Sequence, residues 1–138
     1  MFEVSRDVHA AFVALALDEY PLEACGLVAG PTAPGGGAGA TGRIWYPCRN
    51  DAASARVYTI NAQDYLRAEM DADDRDWEIN AVVHSHTHSE PYPSPTDVAS
   101  AISPDWHYVI VGLKREAPEV RSYRIVDGEI RPEPLVVV

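Results

Sequence analysis

Three short runs, "ACGLVAG" at 24–30, "EINAVVHSH" at 78–86 and "WHYVIVGLK" at 106–114, most restrict what this chain can become. Each is apolar or rich in β-branched residues and too short for a typical helix, so each predicts a strand. "VRSYRIV" at 120–126 predicts another. Helical segments are interleaved with them. "DVHAAFVALALDE" at 7–19 repeats its apolar side chains at helical spacing, with Asp7 as the expected N-cap and Pro21 just beyond the end. "NAQDYLRAEMDADDRDW" from Asn61 opens on a capping residue and is strongly acidic, as suits a helix with one solvated face. Between the first two of the three strands, "RIWYPC" and "RVYTI" flank the turn-prone "RNDAAS", and a hairpin is the simplest arrangement. The order predicts an α/β domain with a mixed sheet flanked by helices.

At 138 residues the chain suits one domain spanning 1–138. "GPTAPGGGAGATG" at 30–42 lacks apolar anchors and is expected to be a flexible surface loop. Its "GAGATG" satisfies G-x-G-x-x-G, but a strand-like run follows it, not the helix a pyrophosphate site needs. No apolar run is long enough to span a bilayer and the N-terminus lacks a secretory pattern, so no membrane partner and a cytoplasmic setting are expected. Cys25 and Cys48, the only two cysteines, are then expected as thiols. A net charge of −10 argues against a nucleic-acid partner.

The chemistry concentrates in "VVHSHTHSEPYPSPTDV", 82–98. Side chains two apart on a strand share a face, so His84 and His86 can chelate one ion while Ser85 points away. A catalytic zinc takes three protein ligands and keeps a position for water, so the pair needs another donor. Asp97 is the leading candidate, with His88 and Glu90 as rivals. Ser94 to Asp97, "SPTD", is also a helix-start signature, with serine at the N-cap, proline at the first helical position and an acid three residues past the cap. His88 falls in the proline-interrupted loop, where no strand fixes it. His9 and His107 fit structural roles in a helix and a strand. Glu23 is the candidate acid outside the loop, although 61 residues of separation from His84 carry no information about distance.

Glu23, His84, His86, Ser94 and Asp97 fill the pattern E…H-x-H-x7-S-x2-D, and the chain resembles the JAMM (MPN-plus) metalloprotease family on it. "EACGLVAG", "HYVIV" and "RSYRIVDG" extend the likeness to bacterial members of the Mec type. The resemblance implies a deaminase-like α/β fold and one zinc on His84, His86 and Asp97. It implies Glu23 as general base and acid, and Ser94 as hydrogen-bond donor to the water or the oxyanion. It further implies a peptidase that releases cysteine from the C-terminal glycine of a ubiquitin-like sulfur-carrier protein with a flexible Gly-Gly tail. An isopeptidase acting on lysine conjugates and a non-catalytic MPN-type binding module are the alternatives. A structural zinc is the weakest of the readings, since two histidines and a carboxylate leave the site open. A zinc nucleobase deaminase is excluded, because the chain has no C-x-x-C. The chain departs from its resemblance at 30–42 and 46–50, where substrate contacts can differ.

Overall fold

The computed structural model describes residues 1–138. In chain order the elements are β1 (Phe2–Val4), α1 (Arg6–Glu19), β2 (Cys25–Pro31), β3 (Thr41–Gly42), β4 (Ile44–Cys48), α2 (Ala62–Asp74), β5 (Trp77–His86), α3 (Pro95–Ala99), β6 (His107–Gly112), β7 (Glu119–Val126), β8 (Glu129–Glu133) and β9 (Leu135–Val137). Six strands form a mixed sheet in the order β4-β2-β5-β6-β7-β8, with β5 and β6 parallel and the other neighbours antiparallel. A small sheet, β3-β1-β9, ties the two ends of the chain together.

Both faces of the large sheet are covered. Val8, Phe12 and Ala16 of α1 pack with Val28, Ala81, Val83, Val109 and Val111. On the other face, Ala68 and Ala72 of α2 pack with Leu27, Val82, Tyr108 and Ile110. From Ala81 onward the odd and even residues of β5 and β6 thus divide between two cores, as the twofold alternation of a strand requires, while Ile79, before a register shift against β2, joins the α2 side. This doubly covered geometry explains the unbroken burial from Ile79 to His86. It also puts His84 and His86 on the α2 side with Val82, and Ser85 on the α1 side. The expected α/β fold with a mixed sheet between helices is the observed one.

Several local expectations need correction. Ser5, not Asp7, caps α1, accepting the Val8 N–H, and Asp7 lies in the first turn. "RVYTI" is no strand: its one ladder-type pairing is an isolated bridge between Asn50 and Ile60, and its other bonds to the chain before it are those of a loop. β4 pairs with β2 instead of forming a hairpin with it. The reason is burial: β2 needs neighbours on both edges, while 49–60 is drawn away by side-chain hydrogen bonds described below. Gly26 has a packing reason, since a Cβ there would come within 2.3–2.7 Å of Trp45 ring atoms and the Tyr46 carbonyl. Asp127 and Gly128, at φ of 52° and 77°, make the tight turn between β7 and β8. No helix is long and apolar enough to cross a membrane.

Candidate active site

The histidine pair sits at the carboxyl end of β5, one of the two strands of the sheet's single parallel pairing. His84 lies opposite Cys25 of β2 and Ile110 of β6, and His86 opposite Gly112. Both histidines are 4% exposed. Tyr58 stacks on His84 with ring centroids 4.3 Å apart and 22° between planes. His86 Nδ1 lies 2.8 Å from the Glu90 carbonyl, which has no proton to give, so Nδ1–H donates and Nε2 is left with its lone pair.

Beyond the loop, α3 is only Pro95–Ala99 and owes its position to its start. Ser94 Oγ accepts the Asp97 N–H at 3.1 Å, and Asp97 Oδ2 accepts the Ser94 N–H at 2.9 Å, a reciprocal capping box. The same Oδ2 stands 3.2 Å from His84 Nε2 and 3.1 Å from His86 Nε2, and the two nitrogens are 3.0 Å apart. Four donors round an ion at roughly 2.0 Å would be about 3.3 Å from one another in a tetrahedron. A near-equilateral triangle of 3.0–3.2 Å edges is thus one face of such a tetrahedron, slightly contracted. Its chemistry agrees, because three lone-pair atoms meet where neutral imidazoles supply at most one proton, and a cation would satisfy all three.

Burial disfavours ionised Asp97, but the close approach of His84 and His86 and the Ser94 N–H outweigh it and hold the carboxyl well below the usual carboxylate range. His84, wholly enclosed, is pushed down by burial despite Asp97. Burial also opposes charge on His86, yet Asp97 and the Glu90 carbonyl raise it.

Glu23 arrives from the turn before β2. Its carboxylate is within 4.8 Å of a donor nitrogen on each histidine, so the pair belongs to two acidic triads. The tighter contacts of Asp97 suit direct coordination, whereas the longer reach of Glu23 suits action through a water. The Glu23 side chain is 3% exposed and Oε1 has no hydrogen-bond partner. Burial raises its pKa from 4.5 to about 7, with His86 opposing and Asp97 adding to the rise.

Neighbouring backbone is pinned on each side of that acid. Ser85, facing away from the histidines as expected, accepts the Ala24 N–H on Oγ at 2.8 Å. Asn50 Nδ2 donates to the Glu23 carbonyl at 3.0 Å, and the Glu23 N–H donates to Ser54 O at 2.8 Å. Asn50 and Tyr58 were missed in the sequence because "RNDAASARVYTI" carries turn and strand signals that give no hint of a loop wrapped over Glu23.

The remaining expectations sort cleanly. His88 is exposed, outside the triad, with Nδ1 2.8 Å from Thr87 Oγ1. The Glu90 carboxylate turns outward to Arg115 and Lys114, and only its carbonyl serves the site. His9 packs beside Phe12, and His107 stacks on Phe2 and hydrogen-bonds Glu133. Cys25 and Cys48 are opposite one another on β2 and β4 but unbonded, and burial pushes both thiols up to about 12, far from nucleophilic.

Two cavities open on Glu23. One of ≈650 Å³ is lined by Arg56, His86, His88 and Ser94 as well. The other, ≈830 Å³, reaches along Pro47 and Cys48 of β4 toward α2. A third of ≈630 Å³, between α2 and Trp106, includes Trp77 at the opposite end of β5 and has no part in this cluster.

Comparison with known proteins places this geometry. Residues 5–126 match the family described as prokaryotic homologs of the JAB domain. The CysO-cysteine peptidase of Mycobacterium tuberculosis is 39% identical over 136 residues, covering 98% of this chain and 90% of that protein. A protein from Desulfitobacterium hafniense, solved in solution, superposes with a TM-score of 0.85 at 24% identity, covering 100% of this chain and 93% of its own. A JAB1/MPN domain protein from Archaeoglobus fulgidus superposes at 0.62 with 15% identity, over 99% and 97% of the two chains. The buried cluster of histidines and acids, the mixed sheet that carries it and the match over most of the length have one explanation: this chain belongs to the prokaryotic JAB/MPN domain family.

Proposed function

We propose that the protein is a zinc-dependent peptidase that hydrolyses the amide bond after the C-terminal glycine of a ubiquitin-like sulfur-carrier protein, releasing cysteine. The observation that carries the reading is Glu23, a buried acid with one unpartnered oxygen and a pKa near neutrality, beside a triangle of donors spaced for one small cation. The similarity to a CysO-cysteine peptidase supports the substrate class.

His84, His86 and Asp97 would hold the ion, whose part when bound is to polarise the scissile carbonyl and make water acidic enough to attack at neutral pH. Glu23 takes a proton from the attacking water at its free Oε1 and returns it to the nitrogen of the leaving amine as the C–N bond breaks. A pKa near 7 allows it both duties. The Ser94 oxygen spends one lone pair on the Asp97 N–H, so its O–H remains free to donate to the oxygen that gains charge. The carrier's tail would enter extended along the outer edge of β4, whose only sheet neighbour is β2, and follow the Pro47–Cys48 cavity to Glu23.

The test is to incubate the zinc-loaded protein with a carrier ending in Gly-Gly-Cys and weigh the products. Loss of one cysteine, abolished by Glu23→Gln, is expected. An intact carrier would overturn the reading, and release from lysine conjugates alone would favour an isopeptidase.

A further inference from the structure

We propose that Arg56 anchors the α-carboxylate of the residue being released, so that the cavity beside Glu23 is a subsite for a single C-terminal residue. This rests on the hydrolytic reading above and specifies which side of the scissile bond each cavity serves.

An acidic chain of net charge −10 has few cations to spare, and most are already committed. Near the site, Arg49 and Arg67 are both paired with Asp64. On the far side of His86, Lys114 and Arg115 are paired with Glu90. Arg56 differs. It lines the ≈650 Å³ cavity together with Glu23, His86 and Ser94, and its guanidinium has neither an ion pair nor a hydrogen bond within the protein.

Its backbone, by contrast, is tightly held. Asn50 spends all the capacity of its amide on this loop, donating to the Glu23 and Val57 carbonyls and accepting the Ala52 and Thr59 N–H groups. Ser54 Oγ accepts the Arg56 N–H at 3.0 Å, and Thr87 Oγ1, next to His86, donates to the Ala55 carbonyl at 3.2 Å. The arginine is thus mounted on a segment braced against both Glu23 and the end of β5, with an exposed, unpaired side chain that lines the cavity.

What that chemistry is follows from reach. One residue spans at most about 3.6 Å, so the carboxylate that follows a scissile bond by one residue must find its partner within the same cavity. A guanidinium can take a carboxylate through two parallel N–H···O bonds. A lysine conjugate has no carboxylate there, so Arg56 would favour removal of a terminal residue over cleavage of an isopeptide. The Pro47–Cys48 cavity on the other side of Glu23 is left for the carrier's glycine tail.

Semisynthetic carrier ending in Gly-Gly-Cys is prepared with a free carboxylate or a carboxamide, and kcat/KM is measured for each with the zinc-loaded full chain. The wild type should prefer the carboxylate by about 10- to 100-fold, and Arg56→Gln should bring the ratio to within about threefold, mainly through slower cleavage of the carboxylate form. Arg56→Lys should restore part of the preference. A ratio unchanged in Arg56→Gln, a wild type indifferent to amidation, or loss of the preference in His88→Gln alone overturns the assignment while leaving hydrolysis intact. If neither carrier is cleaved by the wild type, the hydrolytic reading fails and this one with it.

Discussion

Replacing Glu23 with glutamine should make the metal-free protein more stable and the enzyme inactive. The wild-type carboxyl ionises at about 7 in the native state against 4.5 ordinarily, chiefly because it is buried. Between those values the unfolded chain sheds a proton that the native state keeps, so native stability falls as pH rises. Its stabilising contribution is therefore complete below pH 4.5 and gone above about 7. Each pH unit of that interval is worth about 1.36 kcal/mol, which accumulates to about 3 kcal/mol by pH 8. Glutamine does not titrate and escapes the penalty. An unfolding entropy of about 2.1 cal/mol/K per residue converts this, for 138 residues, to a Tm gain of about 10 °C. Thermal melts in chelator should show that gain at pH 8 and almost none at pH 4.5. In zinc, the same variant should lose about 10²- to 10⁴-fold in kcat, the share of a general base. Equal melting of the two proteins at pH 8, or a gain that does not shrink toward pH 4.5, would refute the account of Glu23 as a strained, functionally retained acid.

Zinc at a hundred times its Kd should raise the wild-type Tm by about 9 °C, from about 2.7 kcal/mol of linkage, and His86→Ala should abolish the rise in the same melts. Ser94→Ala removes the acceptor of the Asp97 N–H, so calorimetry should find about 1 kcal/mol less stability and zinc titration a roughly tenfold weaker site. Asn50→Ala breaks four hydrogen bonds of the loop over Glu23 and should cost about 2–4 kcal/mol by urea titration, with Glu23-dependent activity falling in parallel.

Strands β2, β5, β6 and β7 and helices α1 and α2 were legible because burial on a sheet leaves apolar runs, and a helix against it leaves a stripe. β5 also carried the site's plainest signal, since an alternating strand fixes which residues share a face. The "SPTD" signature was legible as a cap and Asp97 as the leading third donor, but a cap looks the same whether or not its acid meets two histidines, so it was the neighbouring His84-Ser85-His86 spacing, not the cap, that pointed to Asp97. The hairpin expected of "RVYTI" failed for a different reason. Asn50 draws that segment into a loop with side-chain hydrogen bonds whose partners, Glu23 and Val57, no local pattern announces. The proximity of Glu23 to His84 is likewise a product of the β2–β5 pairing, which sets Cys25 opposite His84, and no local pattern in either segment announces it. Strands β1, β3, β8 and β9 were missed because each is short or polar and forms only through a distant partner.

The position of the histidine pair in β5 has a kinetic consequence. His84 and His86 belong to the central strand of the sheet, paired with β2 as far as His84 and with β6 through His86, the segment whose amides should exchange only when the whole protein opens. Asp97 and Glu23 come from a five-residue helix and a turn, held by a handful of bonds each. Partial opening would then release the acids first and leave two imidazoles still chelating, so an ion could stay with the chain through fluctuations that silence the chemistry. Metal loss and loss of activity should have separate clocks, the first set by global unfolding and the second by the fraying of α3.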